Sequence, residues 1–276
     1  MDSKRMDLHT HCVFSFDADR DATPANLCEA AVRNGIGILA VTDHYDIGYP
    51  YKFDPLEREG PFCQAKERYE GRVQLLRGIE LGEMLDDPEE ADRIRSAVPY
   101  DVVLGSLHGI RPFGDFCYLD YENRTDAELL GQWDRYREEL TRLADEGDFD
   151  VLTHIRYPER YFIRHGRGHL LNINETGEAF FEPVFRALIR RDAALEINTS
   201  IVRKSGLPPD PGVKLLRAYR ALGGRRITVG SDAHRLKDVG ADIREALCIA
   251  SEAGFEEVTV YEGRKPIQIS IMEVMG

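Results

Sequence analysis

The segment DLHTH, Asp7 to His11, carries histidines at positions i and i+2. In an extended strand those side chains leave the same face. Two neutral imidazoles converging on one point form a chelate for a metal ion. The same pair on a solvated face would be two half-buried polar residues, so the rest of the chain has to decide. Similar groups recur along it: Asp43 and His44 in AVTDHYD, Glu80 in RGIELGE, His108 in LGSLHGI, His154 in VLTHIRY, and Asp232 with His234 in VGSDAHR. The donors are nitrogen and oxygen without thiolate, which suits zinc, manganese or iron rather than a cysteine-type structural site. His9, His11, Glu80, His108, His154, Asp232 and His234, joined by Asp17 and His44, exceed what one ion needs and would fill two or three positions. Multi-metal sites of this kind activate water and hold an anionic oxygen, so the expected chemistry is hydrolysis, foremost at phosphorus.

Positioning these groups requires strands that all end at one place. Short apolar runs at 6–10, 36–42, 73–81, 101–108, 150–154, 193–199 and 226–232 read as strands. Amphipathic stretches lie between them. TPANLCEAAVRNG has Thr23 as N-cap, Pro24 in the first turn and Gly35 past the end. TDAELLGQWDRYREELTRLADEG carries Leu and Trp on one stripe with charges opposite. GEAFFEPVFRALIRR, PGVKLLRAYRALGG and GADIREALCIASEAG complete the series, and VTVYEGRKPIQISI reads as a final β segment laid against the body. Strand–helix alternation of this kind implies parallel strands with right-handed crossovers, in an open doubly wound sheet or a closed barrel. A dinucleotide-binding sheet is disfavoured, because no glycine-rich loop follows the first strand. Six of the eight histidines fall at strand ends, where α/β barrels gather their active sites, while His165 and His169 fall in a loop, RHGRGH.

The bulk properties bound the partners. The 276 residues suit one large domain, and a net charge of −13 disfavours long nucleic acid. Anionic substrates would need metal ions or local arginines. The five scattered cysteines, without a C-x-x-C pair, read as reduced thiols. With no apolar run of membrane-spanning length and no secretory leader, a cytoplasmic location is expected.

Taken in order, DLHTH, TDH, GIEL, GSLH, TH, EINTS and GSDAH resemble the successive motifs of the PHP (polymerase and histidinol phosphatase) superfamily, from Asp7 to the GRKP near the C-terminus. The resemblance implies a distorted TIM-like (β/α)7 barrel, a single domain over residues 1–276, with a trinuclear metal site. It implies that His9, His11, Glu80 and Asp232 hold a first ion. Glu80, His108 and His154 would hold a second, with the Glu80 carboxylate bridging, and Asp17, His44 and His234 a third. Relatives fill the Asp17 position with aspartate or histidine, and Asp19 is a rival for it. LEINTS, VRKS, GSDAHRLKDVG and EGRKPIQI are most similar to the stand-alone histidinol-phosphate phosphatases, whereas THIRYPERYF and RHGRGH match no motif among them.

The implied reaction is hydrolysis of L-histidinol phosphate by a hydroxide bridging the ions, with Glu80, Asp232 and His234 as the catalytic set. His234 or a metal-bound water would protonate the leaving alkoxide. Arg156, two residues beyond His154, and Arg203, after the sixth strand, could grip phosphate bidentately, although surface salt bridges would look the same. Asp43 could orient an imidazole or cap a helix. Glu196 and Asn198 could line the pocket or hold a loop, and RHGRGH could close over substrate or be a solvated basic loop. A nucleotide, nucleoside bisphosphate or short oligonucleotide is the alternative phosphoester. Amide or lactone hydrolysis is the further alternative, favoured by a lysine near the metals as convergent arginines favour phosphate. A metal-binding regulatory domain without turnover would have lost ligand positions, and here each expected one is filled.

Overall fold

The computed structural model describes residues 4–50, 52–171 and 173–276. Seven parallel strands follow one another in chain order: β1 (Met6–Thr10), β2 (Ile38–Val41), β3 (Gln74–Gly82), β4 (Val102–Ser106), β5 (Val151–Leu152), β6 (Ala194–Asn198) and β7 (Ile227–Gly230). The last returns to the first. His11 N–H donates to Ala233 O at 2.9 Å and Asp232 N–H donates to His9 O at 2.8 Å, which nearly closes a distorted TIM-like barrel. Residues of β1, β2, β4, β6 and β7 are buried along their whole length, as strands covered by helices outside and side chains inside must be.

The distortion lies where it serves the polar residues. β2 leaves β3 after Val41, and a three-residue strand, His44–Asp46, takes over the pairing with the upper half of β3. The register sets His44 opposite Glu80, so both side chains emerge on one face. β4 and β5 are shorter than their apolar runs suggested, so His108 and His154 sit just beyond their ends.

Outside, the helices start where the caps say. Thr23 accepts from Asn26 N–H at 3.2 Å, and Thr125 with Glu128 forms a reciprocal capping box at the head of Asp126–Glu146. That helix buries Leu129, Trp133, Tyr136, Leu140 and Leu143, one stripe at helical spacing. Helices at Pro55–Arg68, Pro88–Arg95, Glu159–Arg164 and Ser200–Ser205 join those read from the sequence. The C-terminal segment is an antiparallel hairpin, Glu257–Glu262 with Lys265–Ser270, tied to the amino end of the barrel by Tyr261 Oη donating to Asp150 O at 3.0 Å. No helix among the described residues is long and apolar enough to cross a membrane.

Candidate metal centre

Glu80, near the end of β3, is fully buried at the centre of the carboxyl end. Its Oε1 lies 2.8 Å from His154 Nε2 and 3.1 Å from His108 Nε2. Its Oε2 lies 3.0 Å from His44 Nδ1, 3.1 Å from His9 Nε2 and 3.5 Å from His11 Nε2. Beyond His11, Asp232 Oδ1 stands 3.4 Å from its Nε2. His234 Nε2 is 3.0 Å from Asp17 Oδ2 and 3.3 Å from His44 Nε2. All nine residues that spacing and resemblance single out therefore converge. Asp17 faces the cluster, whereas Asp19 lies 3.9 Å from Arg235 at the surface.

The donor set can be tested for a metal by asking where the imidazole protons are. His9 Nδ1 is 2.6 Å from the Glu196 carboxylate, so it carries the proton and Nε2 turns a lone pair to the cluster. Ser15 Oγ spends its single proton on Asp43 Oδ1 at 2.9 Å, so it accepts from His11 Nδ1 at 3.1 Å and frees His11 Nε2. His234 Nδ1 donates to Asp232 O at 3.0 Å, again leaving Nε2 inward. His11 Nε2 and His44 Nδ1 are buried without a hydrogen-bond partner. Lone pairs aimed at carboxylates and orphaned in the interior are costly unless a cation sits among them. The residues fit divalent ions with nitrogen and oxygen ligands.

Charge is strongly coupled within the cluster. Against burial, Glu80 pushes His44 up to about 9, and Glu196 and Asp46, each with Glu80, hold His9 and His108 well above the usual imidazole range. Those protons stand where a divalent ion would otherwise balance the carboxylates. Burial opposes ionisation of Glu80, yet His44, His9 and His108 hold its carboxyl well below the usual range. Burial and then the neighbouring His234 and His44 push His11 down to about 3, keeping it a neutral donor. Asp232 is likewise held low, against burial, by Lys204 and His11.

The supporting shell is specific. Asp43 is not a helix cap: it accepts from Cys12 N–H at 2.7 Å, Ser15 Oγ and Arg58 Nη1 at 2.9 Å, and so orients His11 through Ser15. Glu196 and Asn198 do not line the cavity. Glu196 holds His9 and accepts from His154 N–H at 3.0 Å and Asn198 Nδ2 at 3.1 Å. Glu83, absent from the sequence reading, takes the N–H groups of His108 and Gly109 at 2.6 and 3.0 Å; burial, with Asp46 beside it, pushes its carboxyl up. Its φ of 48° is the one signal, invisible in sequence.

The cluster floors a cavity of about 690 Å³. Its lining includes the cations Arg160, Arg164 and Lys204, the carboxylates Asp46 and Asp115, and the phenols Tyr157, Tyr161 and Tyr118. Two expectations are corrected here. Arg156 does not face the cavity: the strand stops at Leu152, the backbone turns at His154 (φ 20°), and the Arg156 side chain pairs with Glu159 and donates to Pro211 O at 3.1 Å. Arg203 is tied down by Ser231 O at 2.5 Å and Asp242 at 3.4 Å. Nor is RHGRGH simply a loop. It contains the end of helix Glu159–Arg164 and a 3₁₀ turn at Gly168–Leu170, and His165 stacks on Tyr121 with ring centroids 4.7 Å apart. Arg160 took no part in the sequence reading, because a six-residue helix leaves no periodic signal.

Comparison with known proteins follows the same lines. The family model described as PHP domain matches residues 7–200. The chain belongs to the PHP domain family. It is 27% identical over 252 residues to a probable histidinol-phosphatase of Clostridium acetobutylicum, covering 91% of this chain and 95% of that protein. It is 26% identical over 275 residues to the histidinol-phosphatase of Lactococcus lactis subsp. lactis, covering 95% and 96%. The crystal structure of histidinol phosphate phosphatase from Lactococcus lactis, complexed with zinc, L-histidinol and phosphate, superposes with a TM-score of 0.78 at 23% identity, over 96% of this chain and 99% of that one. This PHP member thus shares the barrel with that enzyme over nearly its full length.

Proposed function

We propose that the chain is a metal-dependent phosphomonoesterase, a single catalytic domain over residues 1–276, that hydrolyses L-histidinol phosphate to L-histidinol and phosphate. The observation that carries the reading is that one cavity holds both the donors clustered around Glu80 and the guanidinium of Arg160. Its Nε is buried without a hydrogen-bond partner, and it lies 4.1 Å over the Tyr157 ring and 4.9 Å from the Tyr161 ring. A planar cation held against two phenol rings suits bidentate contact with phosphate. Full-length similarity to histidinol-phosphatases supports the substrate.

His9, His11, Glu80 and Asp232 would hold one ion, Glu80, His108 and His154 a second, and Asp17, His44 and His234 a third, with zinc, manganese or iron all chemically suited. Bound there, divalent ions supply water acidified toward neutrality and charge that offsets a phosphate dianion. Glu80 would serve both of the first two positions, since one of its oxygens faces His108 and His154 and the other faces His9 and His11. His234 gives Nε2 to the cluster and keeps its proton on Asp232 O, which makes it a ligand rather than the acid for the leaving alkoxide. Arg160, with Arg164 and Lys204, orients the phosphate over the cluster. Asp46 and Asp115 offer carboxylates to a substrate bearing an ammonium and an imidazole. Lys204 is the lysine that would favour amide chemistry, but it approaches Asp232 Oδ2 at 3.7 Å, not Glu80, and shares the cavity with the arginines. Its charge therefore adds to a phosphate site. A cytoplasmic setting matches the reduced thiols, Cys12 and Cys28 buried and Cys63, Cys117 and Cys248 exposed.

Phosphate release from L-histidinol phosphate by the metal-replete protein tests the reading, alongside an aryl phosphate, a nucleotide panel and a phosphodiester. The expected result is a kcat/KM for histidinol phosphate far above the others, abolished by chelator and restored by zinc or manganese. Turnover of nucleotides or diesters alone would overturn the substrate and leave the metal hydrolase.

A further inference from the structure

Arg156 lies outside the cavity, yet it ties three segments together. Its N–H donates to Asp210 Oδ2 at 2.9 Å, its Nη1 donates to Pro211 O at 3.1 Å, and its Nη2 pairs with Glu159. Asp210 is itself anchored to β6, giving its N–H to Asn198 O at 2.9 Å and accepting from Asn198 N–H at 2.8 Å. Asn198 continues through Glu196 to His9 and His154. Glu159 opens the helix Glu159–Arg164, which has no side-chain cap at Pro158. Six residues without a cap do not make a stable helix alone, so the tertiary tie in its first turn decides where it sits. The next residue is Arg160, which pairs with no carboxylate among the described residues and faces the cluster.

We propose that Arg156, Glu159 and Asp210 form a positioning clip that holds Arg160 over the metal cluster, so that Arg156 serves phosphate binding through Arg160 and not by contact. The inference rests on the reading of Arg160 as the phosphate-holding residue. The clip joins the helix to the same strand end that carries Glu196, so the cation and the imidazoles share one rigid frame. Such a frame is needed: a long arginine side chain loses its catalytic value when displaced by about 1 Å, at a cost that reaches about a hundredfold.

The test is a double-mutant cycle on the metal-loaded enzyme, at matched metal content, reading kcat and KM for histidinol phosphate and inhibition by inorganic phosphate. Arg156→Ala and, more conservatively, Glu159→Gln are each compared in the wild-type and Arg160→Ala backgrounds. The expected result is a rise of about tenfold in KM and in the phosphate inhibition constant for either variant, with kcat little changed. In the Arg160→Ala background the same changes should add less than about twofold, because the residue they act through is gone. Equal fold-losses in both backgrounds would assign Arg156 and Glu159 a general role in the fold and overturn the clip, as would a fall in kcat at constant KM. Glu159→Gln keeps the side-chain shape and carries the test if Arg156→Ala fails to fold. If Arg160→Ala alone leaves KM and phosphate inhibition unchanged, the reading of Arg160 falls first, and the clip with it.

Discussion

The two ends of the barrel hold the same kinds of side chain in opposite states. At the amino end, charges close on one another: Arg264 reaches Asp148 at 2.7 Å and Asp150 at 3.1 Å, and Arg226 Nε donates to Asp192 at 2.8 Å. At the carboxyl end the groups are as closely spaced, yet His11 Nε2 and His44 Nδ1 are buried without partners. At the amino end the ion pairs close within the chain; at the carboxyl end two ligand-type nitrogens stay open. Buried polar atoms are almost always paired, so two open imidazole nitrogens side by side beside shared carboxylates mark this end as a place for chemistry.

Substitutions can break that contrast. Glu80→Ala should act most strongly, since the imidazoles would lose the carboxylate they share; kcat/KM should fall by about a thousandfold or more, with bound metal lost by elemental analysis. Normal metal content in that variant would remove Glu80 from the centre. Arg160→Ala should cost about a hundredfold in kcat/KM, mainly through KM, with metal content intact. Glu196→Gln touches no ion, but weakens the acceptor of the His9 proton; metal affinity should drop by about 10- to 100-fold in a chelator titration, and an unchanged affinity would refute its orienting role.

Two smaller effects sharpen the comparison. Asp210 is a carboxyl-end acid without a metal beside it, and burial pushes it up to about 7. The folded state thus keeps a proton that the unfolded chain releases from about pH 4, so stability falls as pH rises from about 4 to 7, by at most about 1.4 kcal/mol per pH unit. Urea midpoints should show that slope reduced in Asp210→Asn; identical slopes would count against it. At the amino end, Arg226→Ala should cost about 0.2–1 kcal/mol of stability and leave kcat/KM within about twofold.

The clustered histidines and carboxylates were legible in the sequence because strands impose simple rules. Period two pairs His9 with His11, and parallel strands deliver His108, His154 and Asp232 to one end. Arg156 shows where those rules stop: the same alternation was carried past Leu152, but β5 had ended and the chain had turned. Arg160, on a short uncapped helix, had no period to betray it. The helix Pro55–Arg68 was hidden for a related reason. Asp54 caps it and Pro55 opens it, but Gly60 and Pro61 lie inside and its buried face includes Arg58, so no apolar stripe forms. Ser15 and Glu83 act through single atoms fixed by tertiary contacts, which no local pattern records.

The hydrogen bonds that close β7 onto β1 also order events in time. His9 and His11 lie on the first strand of the barrel, and Asp232 and His234 lie just beyond its last. Their meeting requires closure of almost the entire chain, an entropic cost met only when the intervening strands have paired. A growing chain therefore carries part of the donor set but never the whole, and a full complement of ions can be taken up only after synthesis has passed β7. Full occupancy of such a centre would therefore require a closed barrel.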